Sequence, residues 1–202
     1  PSNMDPHAGT LSSDVAPSTP LYNQLIEYDP HNFTEIIPDL AESWSMSNGG
    51  QTITFKLFEG AKWHDGVEVT SEDVVFSLNR MINPGEGEIR PNTGKLGAYF
   101  DNVVATDKYT TDLNLKFASG AALNFLTVDF FKIVPKHYLE GGADLSVYEN
   151  AVGSGPFRPV VHDVGNMWKA ERNPDYFKPG LPYFDGFEVF LINSPGTQIA
   201  AF

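Results

Sequence analysis

The stretch FEGAKWHDGVEVTSEDVVFSLNR, from Phe58 to Arg80, decides the fold of this 202-residue chain. Thr70 stands where it can cap a helix, and Asp73 follows in the capping-box position three residues later. Apolar residues recur at helical spacing after Thr70, and Pro84 then stops the pattern. The sequence therefore predicts a capped helix between these two residues.

The turn before this helix holds His64 and Asp65, the residue types of an active site, followed by Gly66. Val67 and Val69 alternate after the turn and predict the beginning of a strand. Neighbouring strand residues point to opposite faces, and no nucleophile stands at a recognisable spacing. A structural turn is the favoured interpretation, with a hydrolase working through His64 and Asp65 as the alternative.

The rest of the chain mixes strand and helix signals. Residues 121–138 are predicted to be helical in parts, with Pro135 as an interruption. Apolar side chains alternate in four segments that predict strands: TITFKL (52–57), DNVVATD (101–107), TDLNLKF (111–117) and FEVFLI (187–192). Strands and helices interleave without a regular repeat, which indicates an α/β chain of mixed α and β segments.

Composition excludes several classes of partner and chemistry. The chain has 13 Lys and Arg against 26 Asp and Glu, a net charge of −13, which disfavours nucleic acid and anionic membrane surfaces. It has no cysteine, so disulfides and thiolate nucleophiles are excluded. No run approaches the roughly 18 apolar residues of a membrane span.

The remaining motifs do not assemble a catalytic or metal site. Gly94-Lys95 lacks the preceding glycine and the following hydroxyl residue of a phosphate loop, since Ile89 and Leu96 occupy those positions. Gly153-Ser154-Gly155 lacks the spacing of a nucleophile elbow. The five histidines form no metal-binding pattern. We therefore expect no catalytic residue, no metal and no cofactor.

Longer motifs resemble one family of proteins. LAESWSMSNGGQTITFKLFEGAKWHDGVEVTSEDVVFSLNR (40–80) resembles the signature of the family 5 extracellular solute-binding proteins, the oligopeptide-, dipeptide- and nickel-binding receptors of ABC importers. Similar matches are SNMDPHAG (2–9), LYNQLIEYDP (21–30), VGSGPF (152–157), ERNPDYFKPGLPYFDGFEV (171–189) and TQIAAF (197–202). Phe58 departs from the family, which usually has Arg or Lys there.

The resemblance implies a fold and a domain division. It implies the periplasmic-binding-protein type II-like fold, of which only the first lobe is present, because family members are far longer. Residues 1–28 and 152–202 would form the α/β core of that lobe. Residues 29–151 would form an inserted domain of mixed α and β structure that carries the signature. The chain is thus expected to be an N-terminal fragment without its second lobe.

The resemblance also implies a ligand site. The extended backbone at Thr10, Leu11 and Ser12 would pair with a peptide main chain like an added strand. Tyr99 would offer an aromatic face and a hydroxyl, unless it is only a packing residue. The implied partners are a small solute, preferably an oligopeptide or dipeptide, and a membrane permease.

Other ligands and roles stay open at this point. Nickel chelates or oligosaccharides are alternative ligands, and a peptide-binding sensor or chaperone-like module is an alternative role. The implied location is the periplasm or a lipid anchor outside the membrane.

Overall fold

The computed structural model of the chain describes residues 4–8, 16–84 and 96–192, together with positions 194, 196 and 199. Its strands are β1 Ile26–Asp29, β2 Asn32–Pro38, β3 Ala41–Ser47, β4 Thr52–Leu57, β5 Phe100–Asp107, β6 Thr110–Leu115, β7 Phe157–Asp163, β8 Met167–Arg172 and β9 Gly186–Phe190. Its α-helices are α1 Ser71–Ile82, α2 Ala122–Leu126 and α3 Lys136–Glu140.

The first hydrophobic core lies on a four-stranded antiparallel sheet with strand order β3-β4-β6-β5. The alternation in β4 places Ile53 and Phe55 in this core, where both are 0% exposed. Helix α1 covers the same side of the sheet with Val74, Leu78 and Met81. Burying one apolar stripe of a helix against one face of a sheet stabilises both elements.

Helix α1 begins and ends as the sequence predicts. The Asp73 carboxylate accepts a hydrogen bond from the Thr70 backbone N–H at 2.9 Å, which is one half of a capping box. Its other oxygen accepts from the Lys136 N–H at 3.0 Å and so ties α1 to α3. The helix ends at Ile82, two residues before Pro84.

The strand predicted from Val67 and Val69 is reduced to a single bridge between Lys62 and Glu68. The backbone N–H of Trp63 donates to the Val67 carbonyl, and the Val69 N–H donates to the Ala61 carbonyl, both at 2.8 Å. A longer strand cannot form here because the helix cap at residue 70 follows at once. This part of the sequence interpretation is wrong.

The second hydrophobic core lies beside a three-stranded antiparallel sheet with strand order β7-β8-β9. Met4, Leu21 and Tyr22 pack there with Tyr148 and Ala170, all at most 2% exposed. The hairpin of β1 and β2 forms a separate two-stranded sheet. The four predicted strand segments are confirmed, and residues 121–138 are helical in parts as predicted, with α2 inside this range and α3 beginning directly after Pro135. The chain has mixed α and β structure.

Candidate ligand-binding site

The turn at Asp5 and His7, which leads into the predicted ligand-contact segment, is held by a buried ion pair. Both oxygens of Asp5 accept hydrogen bonds from the Arg80 guanidinium, at 3.0 and 2.5 Å. Asp5 also accepts from the His7 N–H at 2.9 Å. Arg80 belongs to the last turn of α1, so the helix of the signature stretch fixes the N-terminal turn.

The His7 ring adds two contacts to the Asp5–Arg80 ion pair, and they require one particular tautomer; the ion pair with His7 is called the anchor below. Its ring is 1% exposed, and Nε2 lies 2.7 Å from the Lys132 carbonyl, while Nδ1 lies 3.0 Å from Arg80 Nη1. A carbonyl only accepts and a guanidinium only donates, so Nε2 carries the proton and Nδ1 accepts. The imidazole is therefore neutral in this arrangement.

The electrostatics of the anchor favour the charged form of Asp5. Burial by itself raises the pKa of this carboxyl, but the Arg80 hydrogen bonds and charge outweigh it and lower the pKa to about 2. A buried ion pair with both partners bonded in a fork geometry fixes orientation as well as distance. The turn is thus held rigidly at neutral pH.

Thr10, Leu11 and Ser12 lie outside the residues that the structure describes. The described chain on one side ends in the anchored turn, where the Ala8 N–H donates to the Asp5 carbonyl at 3.0 Å. On the other side it resumes before the 3₁₀ turn Thr19–Leu21. Their predicted contact with a ligand stays a prediction.

Tyr99 lies directly before the first residue of β5 and is 38% exposed. Its ring packs on Phe117, with centroids 5.5 Å apart and planes at 60°, and on Phe125 at 5.6 Å. These contacts orient the ring and leave part of it open to solvent. The geometry is compatible both with a packing residue and with an aromatic platform for a ligand.

A pocket of about 570 Å³, lined among others by Asn23, Glu27 and Asp39, was not found from the sequence. Asp39, 2% exposed, accepts from Asn23 Nδ2 at 2.6 Å, the Gln24 N–H at 2.7 Å and Lys178 Nζ at 2.7 Å. Lys178 also binds Glu27 at 3.0 Å. Asp39 and Lys178 are far apart in the chain, so no local pattern could have joined them.

Burial and charge act against each other in the group formed by Glu27, Asp39 and Lys178. Burial and the neighbouring Asp39 raise the pKa of Glu27. Burial lowers the pKa of Lys178, but the charge of Asp39 and further acidic neighbours raise it more, so the ammonium stays charged. Asp39 already accepts hydrogen bonds from three donors. Together with the Lys178–Glu27 ion pair, these bonds join β1, the Asn23–Gln24 segment and the loop before β9.

The His64-Asp65 pair is not assembled as a catalytic dyad. Nδ1 of His64 accepts from the Gly153 N–H, and Nε2 donates to the Gly155 carbonyl, both at 3.1 Å. Asp65 binds His137 Nε2 at 2.8 Å. Both nitrogens of His64 are engaged with backbone groups, as the structural-turn interpretation expects.

Metal-binding clusters and membrane-spanning helices are two further features to consider in the described part of the chain. Among those residues, no group of three or more His, Asp and Glu could hold a metal ion. None of the helices described is both long and apolar enough to cross a bilayer.

Known proteins resemble the chain in sequence and in structure. It is 33% identical to the dipeptide-binding protein of Escherichia coli K12 over 178 residues, 78% of this chain and 33% of that protein. It matches the structure of DppA from Helicobacter pylori in complex with the peptide STSA with a TM-score of 0.88 and 28% identity, over 99% of this chain and 42% of that one. It matches the binding protein AgaA from A. tumefaciens R10, in complex with agropinic acid, with a TM-score of 0.88 and 29% identity, over 100% and 40%.

The chain spans well under half the length of these relatives. The match to such structures over its whole described course confirms the periplasmic-binding-protein type II-like fold expected above. The sequence profile of the bacterial extracellular solute-binding proteins, family 5, matches residues 35–202. The chain therefore belongs to the family 5 bacterial extracellular solute-binding proteins.

Proposed function

We propose that the chain is part of the substrate-binding component of an ABC-type importer, which captures an oligopeptide or dipeptide and delivers it to a membrane permease. The observation that carries this proposal is the match over 99% of the chain to a structure solved with a peptide bound. The 33% identity to a dipeptide-binding protein supports the same ligand class.

In this proposal the backbone at Thr10, Leu11 and Ser12 pairs with the peptide main chain, and the Tyr99 ring covers part of the ligand. The Asp5–Arg80 ion pair supports it, because it fixes the turn that leads into residues 10–12. Main-chain pairing tolerates many side chains, which suits a receptor for mixed peptides.

The division into residues 1–28 with 152–202, and 29–151, is part of the same proposal. The β3-β4-β6-β5 sheet lies within residues 29–151 and the β7-β8-β9 sheet within residues 152–202, which supports the division. The hydrophobic cores cross its boundaries, since Leu25 and Ile26 pack in the first core and Leu145 and Tyr148 in the second. A second lobe of the same protein would close over the ligand and supply groups for its charged ends. The relatives, of which this chain covers 33% to 42%, have room for that lobe.

The proposal also covers catalysis, nucleic-acid binding and the location of the protein. It assigns no catalysis, since His64 and Asp65 are occupied by structural contacts. It assigns no nucleic-acid partner, since the net charge is −13. The protein would act in the periplasm or on a lipid anchor outside the membrane, where an importer collects its cargo.

A small non-peptide solute is the second candidate ligand. It is favoured by the match with 29% identity to a binding protein solved with agropinic acid. The nickel chelates and oligosaccharides considered from the sequence belong to the same alternative.

Calorimetry on the full-length protein tests the proposal. We expect saturable binding of di- to pentapeptides, with weaker or absent heat for agropinic acid, nickel chelates and oligosaccharides. Binding of one of these solutes in place of all peptides would replace the ligand class, and no binding of any of them would refute the receptor role.

A further inference from the structure

His64 lies where two passages of the chain run side by side. A Cβ built on Gly153 would lie 1.7 Å from the Leu21 carbonyl oxygen, and one on Gly155 would lie 2.5 Å from the Leu21 carbonyl carbon. The Gly155 N–H donates to the Leu21 carbonyl at 2.9 Å. Residues 153–155, where the chain leaves the first core, therefore lie in direct backbone contact with Leu21, just before the chain leads into that core.

Three hydrogen bonds connect His64 to this returning segment. The His64 backbone N–H donates to the Gly153 carbonyl at 2.8 Å, in addition to the two ring contacts at 3.1 Å. Among the described residues of the turn 63–66, His64 is the one whose side chain forms hydrogen bonds with the backbone of residues 153–155. It therefore holds this turn against the returning segment.

The ring contacts exist only for the neutral imidazole. Nδ1 faces an N–H, which can only donate, so Nδ1 must accept. A protonated ring carries hydrogen on both nitrogens, and its Nδ1–H would then meet the Gly153 N–H as two opposed donors. Protonation replaces an attractive contact by a repulsive one at the same place.

The surroundings of His64 oppose protonation. Burial lowers its pKa most, the Gly155 carbonyl raises it, the positive charge of Arg158 on β7 lowers it, and Asp65 raises it, with a net value of about 4. Asp65, the nearest carboxylate, is directed to His137 on α3 at 2.8 Å. The pKa of a histidine in the unfolded chain is about 6.5, so the folded structure keeps the His64 imidazole neutral until the medium is acidic.

We propose that His64 is a proton-operated clamp that fixes the turn 63–66 to residues 153–155 at neutral pH and releases this segment in acid. The inference concerns the connection between the two cores and does not depend on which solute the protein binds.

The structure gives the size of the effect. If released His64 titrates at its ordinary 6.5 and clamped His64 at about 4, linkage raises the equilibrium constant for release by about 40-fold between pH 6.5 and pH 4.5. In the part of the chain that the structure describes, the other hydrogen bonds of residues 153–155 go to Leu21, Asn23 and Asn173, none of which titrates. Amides remote from His64 should therefore follow a different pH dependence.

Exchange experiments on the full chain test the clamp. Deuterium exchange at the imidazole Cε1, read by mass spectrometry, gives the titration of His64, which we expect well below pH 6. Backbone exchange of peptides spanning 61–69 and 150–157, corrected for intrinsic rates, should rise about 40-fold from pH 6.5 to pH 4.5, while a peptide from β8 changes less than 5-fold.

Two variants separate a clamp from general acid instability. In His64→Asn, the amide oxygen can keep the acceptor position without titrating, so the acid-induced rise should fall below 5-fold. His137→Asn is the matched control and should behave as the unmodified chain. Titration of His64 near pH 6.5, a uniform rise in all peptides, or an unchanged rise in His64→Asn would overturn the proposal. The first two outcomes need only the unmodified chain.

Discussion

Replacing Gly153 by Ala should destabilise the protein severely, because the new methyl group has no room. The added Cβ would lie 1.7 Å from the Leu21 carbonyl oxygen and 3.2 Å from Tyr22 Cδ1. The Leu21 carbonyl oxygen and the carbonyl carbon, 2.6 Å from the added Cβ, are backbone atoms and cannot give way like a flexible side chain. The segment 153–155 must therefore move away from Leu21.

The cost follows from the contacts that this movement breaks. The segment would lose the hydrogen bond from Gly155 to Leu21 and the two that join Gly153 to His64, together about 3 kcal/mol at roughly 1 kcal/mol each. Repacking around the displaced segment adds about 1–3 kcal/mol. We expect the free energy of unfolding to fall by about 4–6 kcal/mol.

Urea unfolding followed by circular dichroism measures this loss as a shift in the midpoint at constant slope. Gly120→Ala is the matched control, because a Cβ there meets nothing within 4 Å. That variant should stay within about 0.5 kcal/mol of the unmodified chain, or gain slightly from a less flexible unfolded state. A loss below about 1 kcal/mol for Gly153→Ala would show that the backbone contact with Leu21 does not constrain the fold.

Three further outcomes are expected. Arg80→Met removes the guanidinium charge that balances the buried Asp5 carboxylate and should cost about 3–5 kcal/mol in urea unfolding. Asp5→Asn combined with Arg80→Met should recover part of the loss, and no recovery would contradict the ion pair. Because the pKa of Asp5 is lowered from 3.8 to about 2, its contribution to the free energy of unfolding is present above pH 4. About 2 kcal/mol of it should be lost as the pH falls from 4 to 2. This loss must be absent in Asp5→Asn. In the full-length protein Tyr99→Ala should weaken ligand binding by about 5- to 30-fold in calorimetry, whereas the exposed aromatic control Phe190→Ala on β9 should change it less than 2-fold. Equal effects would remove Tyr99 from the ligand site.

Local patterns gave the elements of the fold. The capped start of α1 depends on residues three positions apart, and the alternation of Ile53 and Phe55 depends on residues two apart, so both can be read from the chain itself. The strand expected at Val67 and Val69 failed because the helix cap at Thr70 competes for the same residues.

Distant contacts could not be predicted in the same way. Phe58 departs from the Arg or Lys usual in the family, and its ring packs on Phe177 with centroids 5.5 Å apart. Nothing near either residue in the chain indicates this pairing. Of the candidate site, the sequence indicated the positions, but the Asp5–Arg80 anchor that precedes them appeared only in the folded chain.

By itself the sequence determined the class of structure, four of the nine strands described, the helix with its cap, and the family that these motifs resemble. The tertiary structure alone decided that His64 holds the backbone of Gly153 and Gly155, that Arg80 holds Asp5, and that Asp39 meets Lys178. The physical reason is range: capping and periodicity arise between neighbours along the chain, whereas these bonds join groups from 75 to 139 positions apart, which meet only after the whole backbone has folded.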